Sequence, residues 1–76
     1  MKNLSMVKNG EKGRITSLTG DLRFLNRITS IGITIGSVVE MIQNQKKRPI
    51  LVYGRDTMIA INRSESEKIM VEVVSE

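Results

Sequence analysis

The amino-acid sequence predicts a small, mostly β domain: a partly open barrel of about five short strands, with one amphipathic helix between the first and the second. Segments rich in Ile, Val and Thr recur along the chain and are separated by turn residues, as in all-β domains. Only one segment shows clear helical periodicity. At 76 residues the chain has apolar surface for a single core, so we expect one domain spanning residues 1–76.

The first predicted strand covers Arg14–Leu18, whose β-branched residues favour extended structure. Gly10 and Gly13 precede it and provide a turn. Leu4 and Val7 lie ahead of that turn, and we expect them to pack as a lid. The N-terminal segment is therefore predicted to lead into the barrel and contribute apolar side chains to it.

The single strong helix is predicted to follow this strand. Asp21 is placed as its N-cap, the helix runs to about Ile31, and Gly32 ends it. At 100° per residue one face is apolar and consists of Phe24, Leu25, Ile28 and Ile31. The opposite face is polar and carries Arg23, Asn26, Arg27 and Ser30. The apolar stripe is interpreted as core, because a small domain needs that area for burial.

The second half of the chain is predicted to supply the remaining strands. Ile33–Ile35 forms a tight link that Gly36 closes, and Gly54–Asp56 is a turn that makes a hairpin of the third and fourth strands. One helical turn is expected within residues 62–68. The four strands of this half are predicted at Ser37–Ile42, Ile50–Tyr53, Thr57–Ile61 and Ile69–Val74.

The composition excludes several kinds of chemistry. The chain has no Cys and no His, so catalytic triads, disulfides and the usual transition-metal ligands are absent. Its glycines do not form a phosphate-binding loop. We therefore predict no enzyme activity, no catalytic residue, no metal site and no cofactor. A weak divalent-ion site is the alternative for four carboxylates, although their spacing matches no calcium loop: Asp56, Glu65, Glu67 and Glu72.

The net charge of +4 raises the affinity of the chain for anionic partners. A basic edge formed by Lys46, Lys47, Arg48 and Arg55 makes a nucleic-acid-binding barrel an alternative function. Such binding usually needs aromatic stacking platforms, and Phe24 of the helix stripe and Tyr53 are the sole aromatics. We expect no nucleic-acid partner. No apolar stretch is long enough to span a membrane and no signal-peptide core is present, so membrane insertion is not expected.

Several short motifs, taken in order, resemble those of the FeoA family, the small ferrous iron transport protein A. Residues 27–36, RITSIGITIG, are similar to the family signature RL..LGI.PG, with Ile35 where Pro is common. Leu4, Asn9-Gly10 and Ile15 resemble the opening L...PG....I, with Asn9 in place of Pro. Three further pieces resemble the DPI...G..IALR region: Pro49-Ile50, Gly54 and Ile59–Ile61. Ser64–Val71 resembles the closing SEA..I.V, while Arg48 and Asn62 depart from the usual Asp and Arg.

The resemblance implies an SH3-like β-barrel in the cytoplasm of a bacterium. It also implies an accessory role in ferrous iron uptake, with the cytoplasmic GTPase domain of the FeoB transporter as partner. Kinship with the SH3-like domain of iron-dependent repressors is implied as well. That kinship associates the family with transition metal ion binding, which the residues of this sequence do not themselves support. A weak metal sensor is therefore the third hypothesis, after the FeoB-binding protein and the nucleic-acid-binding barrel.

Two groups of residues are predicted to have a role, one in partner binding and one in the backbone structure. A partner-binding surface is predicted on the polar helix face and the neighbouring link, formed by Arg23, Asn26, Arg27, Ile33, Thr34 and Ile35. Four glycines are predicted to be structural, because turns and helix ends require their backbone freedom: Gly10, Gly32, Gly36 and Gly54.

Overall fold

Six antiparallel strands form one sheet in the computed structural model, which describes residues 1–74. The strands are β1 Lys2–Asn3, β2 Lys12–Leu18, β3 Val38–Gln43, β4 Ile50–Gly54, β5 Thr57–Ile61 and β6 Ile69–Val74. Helix α1 covers Leu22–Ser30 and the short helix α2 covers Arg63–Ser66. The strand order is β1-β6-β2-β3-β4-β5, so β1 and β5 occupy the two edges. The predicted mostly β fold, with its helix between the first two long strands, is confirmed.

The extra strand β1 is the one strand among residues 1–74 that the sequence pattern did not predict. Lys2 pairs with Val71 and Asn3 pairs with Met70, both in β6. Two residues are too few to show an alternating pattern, so β1 exists only because β6 offers it an edge. A 3-10 turn at Leu4–Met6 follows. Leu4 and Val7 are almost fully buried against the barrel, as the sequence predicts.

Helix α1 begins where the sequence predicts. The side chain of Asp21 accepts a hydrogen bond from the Phe24 backbone N–H at 2.8 Å, which satisfies one of the free donors of the first turn. Phe24 and Ile28 are buried, and Leu25 packs partly against the core. The predicted place of Ile31 in the buried stripe is wrong, because the helix ends at Ser30 and Ile31 is 39% exposed.

Gly32 reverses the chain directly after the helix. Its φ of +104° lies in the region that residues with a Cβ rarely adopt. Gly32→Val is therefore expected to destabilise the fold by about 1–3 kcal/mol. Urea unfolding followed by circular dichroism measures this loss, with Asn26→Ala on the exposed helix face as the control. An unchanged midpoint for Gly32→Val would show that the link can adopt another conformation.

The hairpin of β4 and β5 differs from its predicted form. Gly54 is not in the turn but inside β4, where it pairs with Thr57. The turn is made by Arg55 and Asp56, with φ values of 52° and 61°, as in a two-residue type I′ turn. Gly54 is needed for a different reason: a Cβ at this position would lie 2.9 Å from Cγ1 of Val39. The glycine allows β4 to approach β3 closely.

The polar loop between β3 and β4 is held by hydrogen bonds to the N-terminal segment and to α2. Asn44 Nδ2 donates hydrogen bonds to the backbone oxygens of Ser5 at 2.8 Å and Val7 at 2.7 Å. Arg63, at the start of α2, donates through Nη2 to Asn44 Oδ1 at 2.6 Å and through Nε to the oxygen of Arg48 at 3.3 Å. One side chain thus connects the N-terminal segment, this loop and α2.

Candidate functional site

The acidic residues considered as an alternative metal site do not come together. Glu65 forms an ion pair with Arg27, and Asp56 accepts a hydrogen bond from the Tyr53 hydroxyl at 3.4 Å. Glu72 lies on β6 opposite Arg14. Within residues 1–74 no three Asp, Glu, His or Cys side chains are grouped where they could hold a metal ion. The described part of the chain therefore offers no assembled carboxylate site.

The basic residues considered for nucleic-acid binding are also dispersed. Residues 46–48 precede β4 and Arg55 follows it, so the two groups lie at opposite ends of that strand. Strand β4 has five residues, so its length separates the two groups by roughly 16 Å. The basic edge expected from the sequence is not a single surface. Neither helix within the described residues is long and apolar enough to cross a membrane.

The predicted partner-binding residues on α1 have two different roles. The side chains of Arg23 and Asn26 are exposed and have no hydrogen-bond or ion-pair partner within residues 1–74. Arg27 instead pairs with Glu65 and lies over the Phe24 ring, 5.9 Å from its centre. Arg27 therefore connects α1 to α2. An acidic residue at position 27 would lie beside Glu65 and disturb the contact between the two helices. A substitution of Arg23 is therefore the better test of whether this helix face binds a partner.

The link after α1 divides its three predicted residues between core and surface. Ile33 is 0% exposed, so its prediction as a contact residue is corrected: it is part of the core. Thr34 is half-buried, and its hydroxyl lies 2.7 Å from that of Ser37. Ile35 is 67% exposed at the tip of the turn that the Ser37 N–H closes on the Thr34 oxygen. Of these three residues, only Ile35 presents an apolar side chain to solvent.

The turn of the β4–β5 hairpin lies beside the end of α1 and the start of β3, close in the chain to the exposed apolar residues of the link. Arg55 reaches back to the helix end, where its Cδ lies 3.4 Å from the position of a Cβ on Gly32. Arg55 also lines a shallow cleft of about 290 Å³ together with Val38 and Tyr53, both of which are partly exposed. We call this surface the link surface, defined as Ile31, Ile35, Val38, Tyr53 and Arg55.

Four members of the link surface were not predicted from the sequence as partner-binding residues: Ile31, which was predicted to lie in the core, Val38, Tyr53 and Arg55. Val38 alternates with the buried residues Val39 and Met41, so its outward direction was readable from the period of the strand. Tyr53 was noted only as a rare aromatic. Nothing in the sequence places Arg55 beside Gly32, because that contact joins the hairpin turn to the end of the helix.

The FeoA domain family matches residues 2–73 of the chain. The chain belongs to the FeoA family. It is 35% identical over 72 residues to the "Putative Fe(2+) transport protein A" of Methanocaldococcus jannaschii, and the match covers 95% of this chain and 87% of that protein. The family resemblance carried by residues 27–36 and the motifs around it is thereby confirmed.

Solved structures share the fold of this FeoA-family chain. A crystal structure of the iron uptake regulatory protein FeoA matches with a TM-score of 0.90 and 22% identity, over 95% of this chain and 96% of that one. FeoA of Stenotrophomonas maltophilia, described as an SH3 domain protein complexed with zinc, matches with a TM-score of 0.79 and 19% identity, over 95% and 91%. A manganese-dependent transcriptional repressor matches with a TM-score of 0.87 and 19% identity, over 96% of this chain but 41% of the repressor. The SH3-like fold is thus confirmed.

Proposed function

We propose that this FeoA-family chain is a cytoplasmic accessory protein of ferrous iron uptake that binds the cytoplasmic GTPase domain of FeoB and modulates transport. It acts through binding and carries out no reaction of its own. Membership of the family and the likeness to a protein named for Fe(2+) transport support the ferrous iron part of the proposal. The proposed partner comes from the family resemblance of the sequence.

The observation that carries the binding role is the link surface. A chain of 76 residues needs its apolar side chains for the core, yet Ile35 is 67% exposed, and Val38 and Tyr53, which line one cleft, are partly exposed as well. Contiguous exposed apolar side chains are typical of docking surfaces. Arg55 borders them and forms no ion pair within residues 1–74. Apolar centres flanked by Arg and Tyr are common in protein interfaces, so an acidic rim on the partner is expected.

Charge reversal on the link surface tests this role. Arg55→Glu is expected to weaken binding to the FeoB cytoplasmic domain by about tenfold or more, because it opposes the expected acidic rim. Lys47→Glu is the matched control. Both residues are exposed basic turn positions with positive φ, 52° for Arg55 and 65° for Lys47, but Lys47 lies at the other end of β4. Titration calorimetry at two salt concentrations measures both Kd values.

Equal effects of Arg55→Glu and Lys47→Glu would indicate general charge attraction and contradict a role for the link surface. Deletion of the gene tests the function as a whole. Unchanged ferrous iron uptake in the deletion strain, together with no binding of the purified chain to the FeoB cytoplasmic domain, would overturn the proposal.

A further inference from the structure

Among the strands that the structure describes, β5 lies at an edge of the sheet and pairs with β4 alone. Within residues 1–74 the backbone of Thr57–Ile61 makes no hydrogen bond to any segment other than β4. An edge of this kind carries a row of backbone donors and acceptors that another extended chain can use.

The hairpin geometry shows which groups are free. Because the turn between β4 and β5 has two residues, Gly54 and Thr57 flank it and exchange hydrogen bonds. The pattern alternates along an antiparallel pair, so Ile59 and Ile61 also bond to β4. Met58 and Ala60 then direct their N–H and C=O groups away from β4. Four backbone groups therefore face outward from the free edge.

This edge lacks the features that usually prevent another strand from pairing. Residues 57–61 contain no charged residue and no Pro, and no register shift interrupts their pairing with β4. Met58 is 49% exposed, and Ala60 is exposed as well, so an incoming backbone can approach. Met58 of β5 is the cross-strand partner of Tyr53 of β4, and Tyr53 belongs to the link surface. The edge therefore lies directly beside the link surface.

We propose that the free edge of β5 is where the partner binds, by adding an extended segment of its own chain as a further strand. This inference rests on the proposed function and specifies how the partner is held. The backbone groups of Met58 and Ala60 bond the added strand, and an outward side chain of that strand lies beside Met58. A carboxylate side chain near the end of the segment pairs with Arg55.

The occupant is a segment of a different protein and not a second copy of this chain. A second copy would bring a net charge of +4 and its own Arg55 to the same edge, so two copies repel each other. An acidic extended segment avoids this repulsion and complements Arg55.

The substitution Ala60→Pro tests the edge with little effect on the barrel. Proline removes the outward N–H of residue 60 and places its ring in the path of an incoming strand, but it removes no hydrogen bond to β4. Ala60→Thr is the control, since it keeps the N–H and favours extended structure. Ala60→Pro is expected to weaken binding to the FeoB cytoplasmic domain about tenfold or more, while Ala60→Thr stays within about twofold.

Amide hydrogen exchange on the unmodified chain gives a second readout that does not depend on how well Ala60→Pro folds. In the free chain the amides of Met58 and Ala60 should exchange faster than those of Ile59 and Ile61. Addition of the FeoB domain should slow exchange at Met58 and Ala60. Binding without that slowing, or wild-type affinity in a folded Ala60→Pro variant, would contradict partner binding at the edge of β5 but would not contradict the proposed function. No binding by the unmodified chain would overturn both.

Discussion

Ile33→Ala is expected to lower the free energy of unfolding by about 2–5 kcal/mol, whereas Ile35→Ala should leave the stability of the fold unchanged. Ile33 is 0% exposed and Ile35 is 67% exposed, although they are two positions apart in the same link. Removing buried methyl groups from an Ile costs about 2–5 kcal/mol. At roughly 0.05–0.15 kcal/mol per residue, a domain of this size has about 4–11 kcal/mol in all.

Urea unfolding monitored by circular dichroism measures both variants. The matched pair also separates structure from recognition, because Ile35→Ala should weaken binding to the FeoB domain at unchanged stability. If Ile33→Ala kept its unfolding midpoint and lost binding, Ile33 would be a contact residue and the described burial would be incorrect.

The second large effect is expected at Asn44. Asn44→Ala leaves the backbone oxygens of Ser5 and Val7 without their donor, and Arg63 loses one of its acceptors. These three hydrogen bonds are part-buried, and each bond of this kind contributes about 0.5–1.5 kcal/mol, so we expect a loss of roughly 2–4 kcal/mol in the free energy of unfolding. Thermal unfolding measures the loss, with Asn26→Ala as the exposed control.

The loss should be concentrated at the N-terminal segment. Amide exchange is expected to speed up at Leu4–Val7 in Asn44→Ala before it does so in β2. A variant with wild-type stability and wild-type exchange at these residues would show that water replaces the Asn44 side chain without cost.

Features that depend on neighbouring residues in the sequence were predictable. The cap at Asp21 is decided within one helical turn, and the buried positions of Phe24 and Ile28 follow from helical periodicity. Gly32 and Gly36 follow the same logic, since both have the positive φ that a helix end and a tight turn require. The long strands were readable from their β-branched residues.

Features that depend on distant contacts were not predictable. Positions 31 and 33 are both Ile and both adjoin Gly32 in the sequence, but packing against the barrel buries only Ile33. Gly54 looked like a turn residue because its close approach to Val39 on β3 leaves no local signal. The same holds for the candidate site, where Ile35 was predicted as a partner-binding residue and Arg55 only as part of a basic edge for nucleic acid. Arg55 joins the surface through the fold of the hairpin against the end of the helix.

The pairing of β2 with β6 has a consequence for how fast the protein folds. These strands lie near opposite ends of the described chain, yet they align from Lys12 with Val74 to Leu18 with Ile69. Closing so long a loop costs conformational entropy before any contact compensates for it. The hairpin of β4 and β5 needs no such closure, because two residues connect its strands. The docking of β6 on β2 is therefore the expected rate-limiting step, with folding times of about milliseconds to seconds, as in other SH3-like barrels.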